Sequence, residues 1–264
     1  MMNPKTQKET QKIRCLVCSS HAGDYFLAIG NHKIYKCIQC GLEYTHPMPS
    51  DVELLNFYSN YIDIRAVTEV VRMNAIRNLE YLKNFDYDSA KKILDFGAGK
   101  GHFVDIAGPN CLGLDFNGIR SARCYSSAHD LPITEFDYIT LWGVLEHLNN
   151  PHKTLAEIKK LLKHRGFLVI TTVNAEGNIP YYYKPIEHLT YWTSKACRRL
   201  FKDLGLDLIE FKPYEMIQNT GVYLDRLLSR TPNEYRNLFI RDSQCLPDYV
   251  VVPTNEVLIV GRAI

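Results

Sequence analysis

Lys91-Lys92-Ile93-Leu94-Asp95-Phe96-Gly97-Ala98-Gly99-Lys100-Gly101 is the stretch whose reading decides the fold. An apolar run ends in a carboxylate, a turn nearly stripped of side chains follows, and a helix starts. Glycines tolerate positive φ and let a ligand lie against the backbone. The helix start adds unpaired N–H groups and a positive dipole end. A nucleotide-like ligand belongs in such a turn.

Spacing selects the ligand. Dinucleotide sites use G-x-G-x-x-G, with a third glycine that lets helix and strand pack closely. Here the register is G-x-G-x-G, and His102 takes the place of that third glycine. Asp95 at the strand end suits a cationic amino-acid group, and Leu112-Gly113-Leu114-Asp115 reads as a second strand tipped by an acid for ribose hydroxyls. With Asp95, Gly97 and Gly99, the loop resembles motif I of the class I S-adenosylmethionine-dependent methyltransferases, and Asp115 resembles the acid after their second strand. The resemblance implies an α/β fold, a doubly wound, mostly parallel seven-stranded sheet of Rossmann-like type, with S-adenosylmethionine as cosubstrate.

From Lys91 onward strands alternate with helices, as a parallel sheet requires. Strands are expected at 91–95, 111–115, 124–128, 136–142, 166–172, 207–212 and 256–262, and helices near 100–107, 117–123, 152–163 and 193–204. The 152–163 helix is expected to end at a C-cap, Gly166. Residues 213–255 read as an insertion with helices at Val222–Ser229 and Asn233–Arg241.

Upstream, Cys15/Cys18 and Cys37/Cys40 form two C-x-x-C pairs eighteen residues apart. Four such thiolates can converge tetrahedrally, and the intervening stretch fits a hairpin turning at Asn31-His32. A structural zinc site is expected, with two disulfides or a redox pair as alternatives. Cys111, Cys124, Cys197 and Cys245 read as small buried hydrophobes. The run Cys37-Ile38-Gln39-Cys40-Gly41 through Pro47-Met48-Pro49 resembles the C-x-x-C-G…P-x-P linker joining zinc ribbons to methyltransferase domains in bacterial sugar and surface-polysaccharide enzymes.

The chain thus divides into a ribbon (1–46), a linker with helical lid (47–88) and a cosubstrate-binding domain (89–264). Ser50-Asp51-Val52-Glu53 carries a capping-box pattern for a helix over 51–61, and a second helix is expected over 65–85. These helices either simply cover the sheet or, as the resemblance implies, form a lid with Tyr58 or Tyr61 near the cosubstrate's amino-acid end.

Further residues take roles from the same resemblance. Ser127 and Ala128, before Leu131-Pro132, fall in the loop that meets adenine; many relatives carry an acid where Ser127 stands. Phe116 either stacks on adenine or packs in the core. The Leu141 carbonyl faces the cosubstrate's amino group. Trp142-Gly143-Val144-Leu145-Glu146-His147 resembles the V-L-E-H segment closing strand four, where Glu146 and His147 either anchor the loop or move protons. Glu187-His188 resembles the E-H pair of sugar methyltransferases, with His188 as base or tether and Glu187 either orienting the ring or acting itself. Tyr181–Tyr183, Tyr191 and Trp192 suit a flat or sugar-like acceptor, and Lys184, Arg198 and Arg199 suit a phosphate.

Composition bounds the rest. The 264 residues are 23% charged and 46% hydrophobic, with net charge +2. That balance argues against an extended nucleic-acid face, and the sequence has no secretory h-region or membrane-length apolar run. The expectation is a cytoplasmic enzyme, monomer or homodimer, with a small sugar- or phosphate-bearing acceptor, no nucleic acid and no membrane partner. Its methyl group goes to an oxygen of a nucleotide-linked or phosphorylated carbohydrate precursor. Phosphoryl or phosphoramidate oxygen, nitrogen and carbon acceptors stay open, as does an inactive scaffold on the same fold.

Overall fold

The computed structural model describes residues 13–59, 68–116, 122–177, 183–228 and 246–264. The sequence first quoted forms an inner strand of its sheet. All four residues of β4 (Ile93–Phe96) are buried, as are those of β5 (Cys111–Leu114). β4 pairs in parallel with β5 on one side and with β7 (Phe136–Trp142) on the other. Strands buried on both faces read as continuous apolar runs, which is why this one announced itself.

Seven strands complete the sheet, in the order β10-β11-β8-β7-β4-β5-β6. Here β6 is Cys124–Tyr125, β8 is Leu162–Val173, β10 is Leu206–Asn219 and β11 is Tyr249–Ala263. The last strand lies antiparallel between β8 and β10. One face is covered by α2 (Thr68–Leu82) and α3 (His102–Ala107), through Ala75, Leu82, Phe103 and Val104. The other is covered by α4 (Pro151–Lys159) and α5 (Ser194–Asp203), through Leu155, Ile158, Leu200 and Phe201. This is the doubly wound sheet expected.

Several boundaries move. The insertion is shorter than 213–255, because β10 runs to Asn219 and β11 starts at Tyr249, with Met216–Asn219 paired to Tyr249–Val252. The β-branched run Val250-Val251-Val252 extends the hairpin past the sheet proper. The excursion is then 220–248, opening with α6 (Thr220–Leu227) capped by Asn219; the helix expected over 233–241 and Cys245 lie outside the described residues. Helix α4 stops at Lys159, and Gly166 lies inside β8 rather than at a C-cap. The register shifts opposite Asp137, where Lys163 Nζ meets that carboxylate at 3.0 Å and Arg165 takes φ 63°. The third strand ends at Tyr125, not 128, since Ser127 Oγ accepts from the His129 amide and starts a 3-10 turn over Ala128–Asp130.

Upstream, α1 (Asp51–Ser59) carries the predicted capping box: Ser50 N donates to Glu53 Oε2 (2.8 Å) and Glu53 N to Ser50 Oγ (3.3 Å). Residues 60–67, including Tyr61, lie outside the described residues, as do 117–121 of the expected 117–123 helix.

A second sheet, β1-β2-β3-β9, joins the N-terminal region to a distant part of the chain, with Glu43 paired to Tyr191 and Tyr44 to Thr190. It comprises β1 (Ala22–Ile29), β2 (His32–Cys37), β3 (Glu43–His46) and β9 (Thr190–Tyr191). The hairpin turns at Gly30-Asn31, one residue before the expected Asn31-His32, because Gly30 takes the positive φ (58°) that the turn needs. Among the described residues no helix is long and apolar enough to cross a membrane.

Gly113 shows how tightly β5 is packed. A Cβ there would stand 2.5 Å from Cys124 Sγ and 2.8 Å from the Ala98 Cβ. Gly113→Ala should therefore destabilise by about 1–3 kcal/mol, the usual cost of overpacking, read as a lower urea midpoint at unchanged slope.

Candidate active site

Asp95 closes β4 and is 3% exposed. Thr140 Oγ1, from the neighbouring strand, donates to Asp95 Oδ1 at 2.8 Å. Burial pushes the Asp95 carboxyl up to about 7; the Thr140 hydrogen bond opposes this, and the charge of Asp115 adds to it.

The turn beyond is held from both sides. Gly97 (φ 77°) packs so closely on Val144 that a Cβ would lie 2.5 Å from Val144 Cγ2. Gly99 N donates to Asp115 Oδ2 at 2.7 Å, while the direction of a Cβ on Gly99 meets nothing within 4 Å. The glycines thus serve different ends, Gly97 a close approach within the protein and Gly99 an open face. Asp115 is buried, and Phe116 beside it is 69% exposed with its ring edge-on to Phe96. Core packing is thereby removed as the reading of Phe116. Ser127 is half-buried and Ala128 exposed, while Leu141 is fully buried within β7.

Val144, which covers Gly97, leads directly into a 3-10 turn, Leu145–His147. This segment meets the loop before β9: Leu189 N donates to the Glu146 carbonyl (2.7 Å) and Thr190 Oγ1 to the Leu145 carbonyl (3.3 Å). Glu146, His147 and His188 converge there, with one ligand-capable atom of each within 4.8 Å of the others. Glu146 is 3% exposed and its Oε2 accepts from Thr172 Oγ1 at 2.8 Å. His147 Nδ1 sits on the Glu187 carbonyl oxygen and 2.9 Å from Tyr58 Oη. A carbonyl only accepts, so this nitrogen carries the proton. Tyr58 therefore lies against the histidine pair.

His188 is 6% exposed, its ring 5.1 Å from that of His147. Burial lowers its pKa below the usual imidazole value, opposed by the charge of Glu146, so the ring is neutral at pH 7. The Glu187 carboxylate lies 3.9 Å from His188 Nε2 and 3.5 Å from Lys184 Nζ. Just before this pair, Ile186 takes φ 85°, a conformation that costs a β-branched residue energy and is found at sites whose surroundings enforce it.

Other expected acceptor contacts are redirected. Tyr191 and Trp192 are 1% and 0% exposed and belong to the junction between the two sheets, where Tyr191 Oη donates to the His188 carbonyl at 3.1 Å. Tyr183 Oη donates to Glu43, and Tyr181 and Tyr182 lie outside the described residues. Arg199 pairs with Asp203 along α5 at 2.8 Å, and Arg198 is exposed on that helix. Thr140 and Thr172 escaped the sequence reading, since a threonine within an apolar strand signals nothing until its cross-strand carboxylate is known.

Four thiols also meet. Cys15–Cys40, Cys18–Cys37 and Cys18–Cys40 sulfurs lie 3.5, 3.5 and 3.7 Å apart. Zinc–thiolate bonds of about 2.3 Å in a tetrahedron place sulfurs about 3.8 Å apart. Each knuckle turns on a positive-φ residue directly after its second cysteine, Ser19 (58°) and Gly41 (74°). The Val17 and Cys40 amides donate to the Cys15 and Cys37 sulfurs at 3.4 Å.

A methyltransferase domain family model matches residues 70–210. The ubiquinone biosynthesis O-methyltransferase of Glaesserella parasuis serovar 5 is 32% identical over 108 residues, covering 32% of this chain and 46% of that protein. The Rickettsia bellii ubiquinone biosynthesis O-methyltransferase is 25% identical over 179 residues, 60% of this chain and 71% of that protein. A tRNA U34 carboxymethyltransferase of Dichelobacter nodosus is 29% identical over 116 residues, 37% of each. The match thus spans less than half the length of two of these three relatives. In fold, the 1,6-didemethyltoxoflavin-N1-methyltransferase of Burkholderia thailandensis superposes with TM-score 0.51 at 16% identity, covering 91% of this chain and 99% of that one. A SAM-dependent methyltransferase from Archaeoglobus fulgidus gives 0.51 at 17%, covering 81% and 100%.

Because the native pKa of Asp95 lies above that of an unfolded aspartate, about 3.9, its contribution to stability is complete below that value and lost as pH rises through about 7. Asp95→Asn should accordingly raise the stability of the ligand-free protein more at pH 8 than at pH 5, by a few kcal/mol, in urea unfolding at the two pH values.

Proposed function

As a member of the methyltransferase domain family, we propose, this chain transfers the methyl group of S-adenosylmethionine to an oxygen of a small acceptor. The observation that carries this reading is the contact of Val144 with Gly97, which sets the Glu146–His147–His188 group beside the bare turn. In this reading the open face at Gly99 receives the nucleoside, Asp95 meets the cosubstrate's cationic amino group, Asp115 lies at the ribose and Phe116 at the adenine edge. Ser127 and Ala128 complete the nucleoside contacts, and the Leu141 carbonyl accepts from the amino group.

The sulfonium already activates the methyl group, so the protein's task is alignment of the acceptor with the S–CH₃ bond. Positioning of this kind accounts for about 7–11 kcal/mol of barrier. An alcohol must also lose its proton. In this reading His188 takes it, supported by a ring kept neutral through burial and a backbone held through its own carbonyl by Tyr191 and Thr45. Glu187 and His147 orient it. The names of the relatives from Glaesserella and Rickettsia favour oxygen as the acceptor atom. The linker resemblance favours a nucleotide-linked or phosphorylated carbohydrate. Direct phosphate recognition by Arg199 and Lys184 is disfavoured by their pairing with Asp203 and Glu187.

The four thiolates, in this proposal, hold a structural zinc ion. The sulfur spacing and the N–H···S bonds fit it, and four cysteines leave no position for a substrate. Removal of zinc by a strong chelator, or Cys37→Ser, should lower the thermal midpoint and release one zinc per chain by elemental analysis.

Calorimetric titration with S-adenosylhomocysteine tests the assignment: saturable one-to-one binding is expected, whereas no binding would reduce the chain to an inactive scaffold. His188→Ala should lower turnover about 10²–10⁴-fold at unchanged S-adenosylhomocysteine affinity. Near-normal turnover would remove His188 from proton transfer.

A further inference from the structure

We propose that Glu146, His147 and His188 form a binding site for one borderline divalent metal ion, such as Mn²⁺, Fe²⁺ or Zn²⁺, distinct from the four-cysteine cluster. Two imidazoles and one carboxylate come from two segments that the chain separates by 40 residues, and their donor atoms lie within 4.8 Å of one another. This set suits first-row transition ions better than calcium or magnesium, and three protein ligands leave positions open for a substrate.

The surroundings are those of ligands already oriented. A metal-binding histidine usually gives its second ring N–H to a carbonyl or carboxylate, which fixes the tautomer. His147 Nδ1 does so to the Glu187 carbonyl, so a neutral ring presents the electron pair of Nε2 on the side of Glu146 Oε1, 3.9 Å away. Glu146 is aimed in turn by Thr172 Oγ1 on its other oxygen. With metal bonds of about 2.0–2.2 Å, tetrahedral donors stand about 3.4 Å apart. The His147–Glu146 pair at 3.9 Å therefore closes by about half an ångström, and a donor pair at 4.8 Å by about 1.4 Å. The carboxylate is 3% and His188 6% exposed, and a cation there offsets the cost of burying the charge.

The site deepens the function proposed above and rests on its placing of the acceptor at this wall. With an ion bound, His188 would be one of its ligands, and the cation would take over the proton-removing role that the ion-free reading above gives to His188. A cation held there would lower the pKa of an acceptor hydroxyl, whose proton would pass to water while the C–S bond breaks and the C–O bond forms.

The test uses the full chain with its cysteine cluster loaded with zinc, and Mn²⁺ as the probe. Electron paramagnetic resonance titration should count one bound Mn²⁺ per chain, weakened at least tenfold in Glu146→Gln and in His188→Ala, with zinc content and circular dichroism unchanged. Crystals of the unmodified protein soaked in Mn²⁺ should show an anomalous peak among the three side chains, which decides the matter even where a variant fails to fold. No bound Mn²⁺ at millimolar concentration, a peak elsewhere, or binding indifferent to both substitutions overturns the proposal. Metal binding without methyl transfer to oxygen would sink the function and leave the site standing; methylation of oxygen by protein that takes up no Mn²⁺ would do the reverse.

Discussion

A carboxylate buried at the end of a central strand, with a nearly side-chain-free turn directly beyond it, is the constraint to which the other parts of this protein conform. Asp95 tolerates its position because Thr140 supplies a hydrogen bond across the parallel ladder, and the remaining cost of burial appears as a carboxyl that ionises only near pH 7. The turn in turn needs a neighbour for each glycine. Val144 presses on Gly97, and Asp115 accepts the amide of Gly99. Any side chain at Gly97 would displace the segment that carries Glu146 and His147. The glycine turn and the proposed acceptor wall are therefore one mechanical unit.

The second sheet extends that unit to the N-terminal cysteines. β3 follows the last cysteine closely and pairs with β9, which follows His188 closely. Thr45 donates its amide to the Leu189 carbonyl and its hydroxyl to the His188 carbonyl, and Thr193 Oγ1 donates to the Cys40 carbonyl. Tyr35, Leu42 and Tyr44 share a core with Trp192 and Cys197. The ribbon thus has a physical route to the histidine pair: it fixes the backbone on both sides of His188. A four-thiol module can in this way stiffen the segment that carries His188.

Elements with strong local signals were legible in the sequence. The β4 run, the capping box of Ser50 and Glu53, the C-x-x-C spacing and the alternation of strands and helices each reside within a few residues and survive into the structure. Errors fall where a distant partner decides. Gly166 looks like a helix stop, yet Leu162 already pairs with Phe136, so the residues before Gly166 belong to β8. Tyr191 and Trp192 look like an acceptor platform, yet the ribbon buries them. Residues 213–219 and 249–255 look like an insertion until their mutual pairing is seen.

The sequence alone determined the sheet and its order of elements, the glycine turn with its two acids, and the thiol quartet, because periodicity, glycine φ and ligand spacing are properties of neighbouring residues. Only the tertiary structure decided that Glu146, His147 and His188 meet, that Thr140 and Thr172 hold the Asp95 and Glu146 carboxylates, and that Val144 closes over Gly97. Those contacts join segments far apart in the chain. Whether two such side chains touch depends on packing of the whole, to which no short stretch of sequence has access.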